Sequence, residues 1–356
     1  VNNHNLSRRS FVILTSKAAG ALAAGGLLAA CGATATSPTA SKPATSPSPA
    51  ASAGKPEAGA GAKPSLRVAY VVTSAAQSPV FMAETIGAFA KRGVDAKVQF
   101  VEGSLALKSL VAKELDVVLQ SATALINANL NGQADLVYIG SNSNHAQGEL
   151  LTAPTIKTAA DLKGKVVGND KAGTAIDFYM QLAFKQLGLK PSDVEMRALG
   201  GSEILAQALQ SGQIQATCLT PPQSLSAEAN GFSVLQNLYS FPYQGNGPII
   251  VRSRLNELTP ALIPFLAALR DGMVAFNEQP ELAKATIAKY AKIEDPAVLE
   301  RTYQFHRTSN PFQLDQKPTL EGIQAMLEFL APTLPAAKDA KPEQFVELSL
   351  LSKLPA

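Results

Sequence analysis

The chain has 356 residues, 46% of them hydrophobic and 17% charged, the balance of a globular protein with one large or two medium domains. Its net charge is +3, but Arg8, Arg9 and Lys17 give the first 31 residues three positive charges and no acid, and residues 32–64 add two more. The remainder therefore sits at −2, which removes the electrostatic ground for a nucleic-acid partner or an anionic membrane surface. The two cysteines, Cys31 and Cys218, exclude a disulfide framework and a Cys-based zinc site.

Ser7-Arg8-Arg9-Ser10-Phe11 is a twin-arginine pattern, and a mostly apolar run from Ala18 to Leu28 follows it. Residues 1–31 are read as a bacterial export signal rather than a fold element. The run ends in Leu28-Ala29-Ala30-Cys31, which resembles the lipobox of bacterial lipoproteins, so lipidation is expected at Cys31. Lys17 interrupts the apolar run and leaves the twin-arginine and the general export routes both open. Residues 32–64 are almost entirely Ala, Ser, Thr, Pro, Gly and Lys and cannot bury enough apolar surface to fold. As a flexible tether they would span roughly 30 Å.

Leu66–Val72 is an apolar strand, and Ser78-Pro79 supplies a cap and a first-turn proline for a helix reaching Arg92. Val98 and Phe100 alternate on a second strand. A helix at Ser104–Lys113, a strand at Asp116–Gln120, a helix toward Asn131 and a strand at Leu136–Gly140 follow. Alternating strands and helices of these lengths predict mostly parallel sheet with helices on both faces. The pattern restarts near Thr155–Leu162. It gives a strand at Lys165–Gly168, a helix to Leu187, a strand at Val194–Arg197, and the helix–turn–strand that ends at Thr220. A helix to Asn230 and a strand at Ser233–Leu238 close this second unit. Pro248–Val251 is apolar and returns to the first unit, and the text from Pro260 onward is helical.

One phrase is written twice. Aligned on Leu110 and Leu209, Leu115 matches Ile214, Val117 matches Ala216 and Ser121 matches Thr220. Two such units predict two similar lobes. Each would present a hydroxyl at the carboxyl end of a strand, beside a helix amino terminus, where open α/β sheets bind ligands.

Four stretches together resemble the periplasmic solute-binding proteins of ABC importers, in the nitrate/sulfonate/taurine and thiamine-precursor (SsuA-like) group. They are LRVAYVVTSAAQSPVFMAETIGAFAKRGV, DLKGKVVG with Gly173-Thr174 behind it, ALQSGQIQATCLTPPQSLSAEANGF, and GNGPIIVRSRL. The likeness covers about residues 65 to 300. It implies a type II periplasmic-binding-protein fold: two doubly wound α/β lobes joined by two crossing strands, with the ligand in the cleft and the C-terminal helices packed on lobe 1. Lobe 1 is expected at residues 65–155 and 245–356, and lobe 2 at 156–244.

By family position, the ligand-binding residues are expected to be Ser74, Gln77, Ser121, Thr123, Asn142, Gly173, Thr174, Thr220 and Tyr243. Helix-start amides and hydroxyls suit a small polar or anionic organic solute, such as a sulfonate or pyrimidine. Each Ser or Thr also has the plain reading of a helix cap. Asp177 reads as a solvated helix acid, His145 as a surface residue and His306 as a satisfied or exposed side chain. No catalytic set, cofactor or metal site is predicted, and no dinucleotide fingerprint or P-loop occurs.

The function expected is a lipid-anchored, exported receptor that hands its solute to an ABC permease in the membrane, acting as a monomer. The alternatives are an enzyme like the pyrimidine-precursor synthase of thiamine biosynthesis, which has a Cys-rich motif this chain lacks, and a sensor feeding a signalling receptor.

Overall fold

The computed structural model describes residues 63–355; the export signal, Cys31 and nearly all of the tether lie outside them. The chain runs β1 (Ser65–Tyr70), α1 (Ser78–Thr85), α2 (Ala88–Lys91), β2 (Asp95–Phe100), α3 (Gly103–Val111), β3 (Val117–Gln120), α4 (Ala122–Leu130) and β4 (Leu136–Tyr138). It continues through β5 (Glu149–Thr152), β6 (Val166–Asn169), α5 (Ala175–Leu187), β7 (Glu195–Ala198), α6 (Ser202–Gln210), β8 (Ala216–Leu219), α7 (Gln223–Ala229) and β9 (Ser233–Asn237). The last part holds β10 (Gly247–Val251), α8 (Leu255–Glu278), α9 (Pro280–Ala291), α10 (Pro296–Gln304) and α11 (Leu320–Leu330).

These strands form two five-stranded sheets, ordered β2-β1-β3-β10-β4 and β7-β6-β8-β5-β9. The orders correspond position by position. Three parallel strands come first, and the fourth (β10 or β5) runs antiparallel to both of its neighbours. The repeated phrase occupies matching places: α3 and β3 recur as α6 and β8 at a constant offset of 99 residues.

Both faces of the first sheet are buried, which is why its central strands read as unbroken apolar runs. Leu66, Val68, Val117 and Leu119 point to one face and pack with Phe81 of α1 and Leu262, Phe265 and Leu269 of α8. Ala69, Val118 and Ile249 point to the other and pack with Leu110 of α3, Leu125 of α4 and Met326 of α11. Helix α8 is apolar and long enough to cross a membrane, but here it is a core helix of this face. In the second sheet Val167, Ala216 and Leu150 pack with Met180 and Phe184 of α5 and Leu205 and Leu209 of α6. Gly168 lets α6 approach β6, because a β-carbon there would sit 2.9 Å from Leu205 Cδ2.

The C-terminal helices pack on the first sheet, as expected, and they also reach the second half. Arg301 of α10 donates to Glu228 Oε2 at 2.8 Å and to the Leu225 carbonyl at 3.1 Å, both on α7. Val346 bridges Tyr138, and Glu347 N donates to the Tyr138 carbonyl at 2.8 Å, so the tail covers the β4 edge.

Two expectations need correction. Strand β5 was not anticipated; it belongs to the second sheet, so the first crossing falls before residue 149 rather than at 155. The helix expected to run from Ser78 to Arg92 is broken by Gly87, whose φ of 67° ends one helix and starts another.

Candidate functional site

Two segments connect the sheets, one between β4 and β5 and one between β9 and β10, and they lie side by side. Asn142 N donates to the Asn246 carbonyl at 2.9 Å, Gly245 N to Ser143 at 3.1 Å, Tyr243 N to Asn144 at 3.0 Å and Ala146 N to Phe241 at 2.9 Å. This antiparallel ladder is the pair of crossing strands. Gln244, fully buried, fastens it: its carbonyl accepts from Ala122 N at the start of α4, and its Oε1 accepts from Thr319 N, which caps α11.

A cleft of about 660 Å³ opens above this ladder. Its walls are the loops after β1 and β3 on one side and after β6, β7 and β8 on the other, so the carboxyl ends of parallel strands face it from both sheets. Seven of the nine residues expected from the sequence line it: Ser74, Ser121, Thr123, Gly173, Thr174, Thr220 and Tyr243. Ser121 and Thr220, matched in the repeat, end β3 and β8 on opposite walls.

Their chemistry differs. Ser121 Oγ lies 3.2 Å from Thr123 Oγ1, a hydroxyl pair at the start of α4. Thr174 is occupied locally: its hydroxyl donates to the Lys171 carbonyl at 2.9 Å and accepts from Asp177 N as the α5 cap. Ser74 makes no side-chain cap bond, and Thr220 lies ahead of the α7 cap, so neither hydroxyl is tied to a helix end. Tyr243 is 2% exposed, stacks on Phe178 with ring centres 5.4 Å apart, and leaves its hydroxyl without a hydrogen-bond partner. Burial pushes its pKa up to about 12, so the neutral phenol faces the site, with the Ser121, Tyr179 and Thr123 hydroxyls nearby moderating the shift.

The structure does not bring Gln77 and Asn142 to the cleft wall. A 3₁₀ turn at Ala75–Gln77 swings Gln77 under α1, where it is fully buried and its Nε2 reaches the Leu119 carbonyl at 3.5 Å. Asn142 is fully buried in the ladder. Asp177 is likewise not a solvated acid. It is 6% exposed and accepts from Asn169 Nδ2 and Gly173 N, both at 2.8 Å, which pins the loop between β6 and α5. His145 is exposed, as expected, whereas His306 is buried with an unpartnered Nδ1. Burial lowers the His306 pKa to about 3, so it stays neutral.

Sequence reasoning missed Phe100, Tyr179, Glu203 and Ile204 on the walls, where Asp170 and Gln223 also lie. Phe100 and Ile204 carried a readable signal, each being a large apolar residue at the end of a strand or the start of a helix with no core to enter.

The amino-acid pattern of residues 59–238 matches the model of the NMT1-like family. The chain belongs to that family. Among solved structures this NMT1-like chain is similar to the periplasmic aliphatic sulphonate binding protein SsuA of Escherichia coli. The TM-score is 0.67 and the identity 22%, over 80% of this chain and 92% of that one. It is also similar to the alkanesulfonate-binding protein SsuA of Xanthomonas axonopodis pv. citri bound to MOPS (TM-score 0.65, 20% identity, 81% of this chain and 100% of that one). A protein of Bordetella bronchiseptica RB50 matches at TM-score 0.65 and 19% identity, over 82% of this chain and 96% of that one. No curated protein sequence matches. At these identities the likeness establishes the periplasmic-binding-protein fold of the NMT1-like chain. Cys218 lies mid-strand on β8 with its thiol fully buried, and burial holds that thiol protonated. Among the described residues, no group of three or more His, Cys, Asp or Glu is placed to hold a metal ion.

Proposed function

We propose that this chain is the solute-binding component of an ABC importer, exported and held at the membrane by a lipid on Cys31. It captures a small organic solute in the cleft between two α/β lobes and presents the closed form to a membrane permease. The observation that carries this reading is the cleft itself. Two sheets of matching order turn the carboxyl ends of their strands toward one space, and Ser121 and Thr220 face it from equivalent positions. The two-segment ladder between the sheets is thin enough to act as a hinge. The leader and tether support the location, and the neighbouring structures support the role: two of them are sulfonate-binding proteins. The sequence expectation spans neutral polar solutes such as pyrimidines and anions such as sulfonates.

The Cys-rich motif of the pyrimidine-precursor synthase has no counterpart among the described residues, whose one cysteine, Cys218, is buried within β8. The test is a thermal-shift screen of the full chain against sulfonates, pyrimidines, amides and amines, followed by recovery of the bound compound. A bound solute present at 100 times its Kd stabilises the fold by about 2.7 kcal/mol and comes back chemically unchanged. Turnover of the compound, or no stabilisation by any member of the panel, would sink the reading. A labelled-lipid experiment with Cys31→Ala tests the anchor: loss of label with normal export is expected, and equal labelling of the variant is the contrary result.

A further inference from the structure

The neighbouring sulfonate-binding proteins raise the question of ligand charge, and the cleft answers it through its own residues. Among its described lining residues none is Lys, Arg or His, whereas Asp170 and Glu203 bring two carboxylates. An anion could still be held by helix-start amides, which is the usual alternative to a cationic side chain. Four of those amides already have acceptors. Ser121 N donates to Gln120 Oε1 at 3.2 Å and Ala122 N to the Gln244 carbonyl at 3.3 Å. Gly173 N donates to Asp177 Oδ2 at 2.8 Å and Thr174 N to the Lys171 carbonyl at 3.3 Å. The Asp177 carboxylate also sits in the first turn of α5, where it offsets the positive end of the helix.

The rest of the wall is apolar with hydroxyls set into it. Val72, Phe100 and Ile204 are 42%, 52% and 53% exposed at the cleft, and an exposed apolar surface of this kind is satisfied by covering it. Deeper in, the buried Tyr243 hydroxyl makes no hydrogen bond of normal geometry, with the Ser121, Thr123 and Tyr179 hydroxyls near it, so it can turn to donate to, or accept from, a ligand. We infer that the cleft takes an uncharged or cationic organic solute with a substantial apolar part, and disfavours sulfonates and other strong anions. The polar head meets the Tyr243, Ser121 and Thr220 hydroxyls, and the apolar part lies against Phe100 and Ile204. This inference rests on the solute-binding reading above.

The experiment uses three probes that share one fused ring and differ in charge: 2-naphthalenesulfonate, 2-naphthamide and 2-naphthylmethylamine. Calorimetric titration of the full chain in mild detergent is expected to give the amide and the amine at least about tenfold lower Kd than the sulfonate. The double variant Asp170→Asn, Glu203→Gln is expected to weaken the amine roughly three- to tenfold and to leave the amide within about twofold, the effect of two partly screened charges. Sulfonate binding as tight as the amine, abolished by the cleft-blocking Thr220→Trp, overturns the inference and leaves the solute-binding reading standing. Where Thr220→Trp does not fold, Ser74→Trp blocks the opposite wall. Binding by none of the three also overturns it, and only failure of the wider panel described above removes the solute-binding reading as well.

Discussion

The carboxylate of Asp177 accepts the backbone N–H of Gly173 at 2.8 Å, four residues upstream across the mouth of α5. The same side chain takes Asn169 Nδ2 at 2.8 Å and caps a loop whose Gly173 has a φ of 79°. Residues 169–174 thus owe their shape to one buried acid. Asp177→Ala is expected to cost about 2–3 kcal/mol, the value of charge-assisted bonds lost together with a donor left buried. Urea unfolding measures it. A cost below about 0.5 kcal/mol would mean that the loop holds itself without Asp177.

Asp116, at the head of β3, joins two arginines. Arg67 of β1 donates to it from Nε at 2.9 Å and from its backbone N at 2.8 Å, and Arg254, just before α8, from Nη1 at 2.7 Å. Burial pushes the Asp116 pKa up, but the hydrogen bonds from Arg67 and Arg254 outweigh it and hold the carboxyl below its usual value. A lowered folded pKa contributes stability that is present above the unfolded value, near 4, and is lost as pH falls through the folded value. Melting curves between pH 2 and 6 are therefore expected to show an acid-side loss that Asp116→Asn lacks. At pH 7 the variant is expected to be about 2 kcal/mol less stable, because the buried charge-assisted bonds to Arg67 and Arg254 are weakened while Arg254 keeps Glu257, 2.7 Å from its Nη2. An unchanged acid limb in Asp116→Asn would assign the loss to other carboxylates.

What the residues disclosed and what they hid follows from local against distant causes. Strand and helix order in both units was legible because each buried strand is a short apolar run between turn residues, as at Val117–Gln120 and Ala216–Leu219. Ser121 and Thr220, matched in the repeat, both line the cleft because positions at strand ends are fixed by local chain geometry. Strand β5 escaped because four buried residues, Glu149–Thr152, follow a polar crossing and carry an acid at their head. Gln77 and Asn142 do not reach the cleft wall because burial under α1 and in the ladder is decided by contacts far away in sequence. The ladder partner of Asn142 is Asn246, and the Gln77 amide reaches Leu119. Asp177 escaped for a different reason: its partners Asn169 and Gly173 are near in sequence, but nothing in its own helix announces that the loop will turn back to it.

Glu149 is an acid in a poor place. It is 5% exposed on β5, its Oε2 has no hydrogen-bond partner, and burial raises its pKa, with the nearby Tyr239 and Ser224 hydroxyls easing the charge and Glu228 opposing it. For an acid, a raised folded pKa means that stability is fully present below the unfolded value, near 4, and is lost as pH rises through the folded value. Glu149→Gln is therefore expected to be more stable than the parent at pH 8, by on the order of 1 kcal/mol. The advantage should shrink toward zero at pH 4. Denaturant titrations at the two pH values decide it: a variant less stable at pH 8 would mean that the ionised carboxylate is held by a partner.

Tyr243 allows stability and binding to be separated with one atom. Its hydroxyl lies buried at the cleft floor without a hydrogen bond of normal geometry, near the Ser121, Thr123 and Tyr179 hydroxyls. Its ring stays anchored by Phe178 and Tyr179, at 5.4 and 5.2 Å. Tyr243→Phe keeps that packing and removes an unsatisfied polar group, so the free protein is expected to gain up to about 1 kcal/mol. A solute that uses the hydroxyl loses one hydrogen bond, about 1 kcal/mol, or roughly five- to tenfold in Kd. The two measurements should therefore move in opposite directions, Tm upward in the free protein and affinity downward. If both fall together, the hydroxyl is bonded to Ser121, Thr123 or Tyr179 in the free protein.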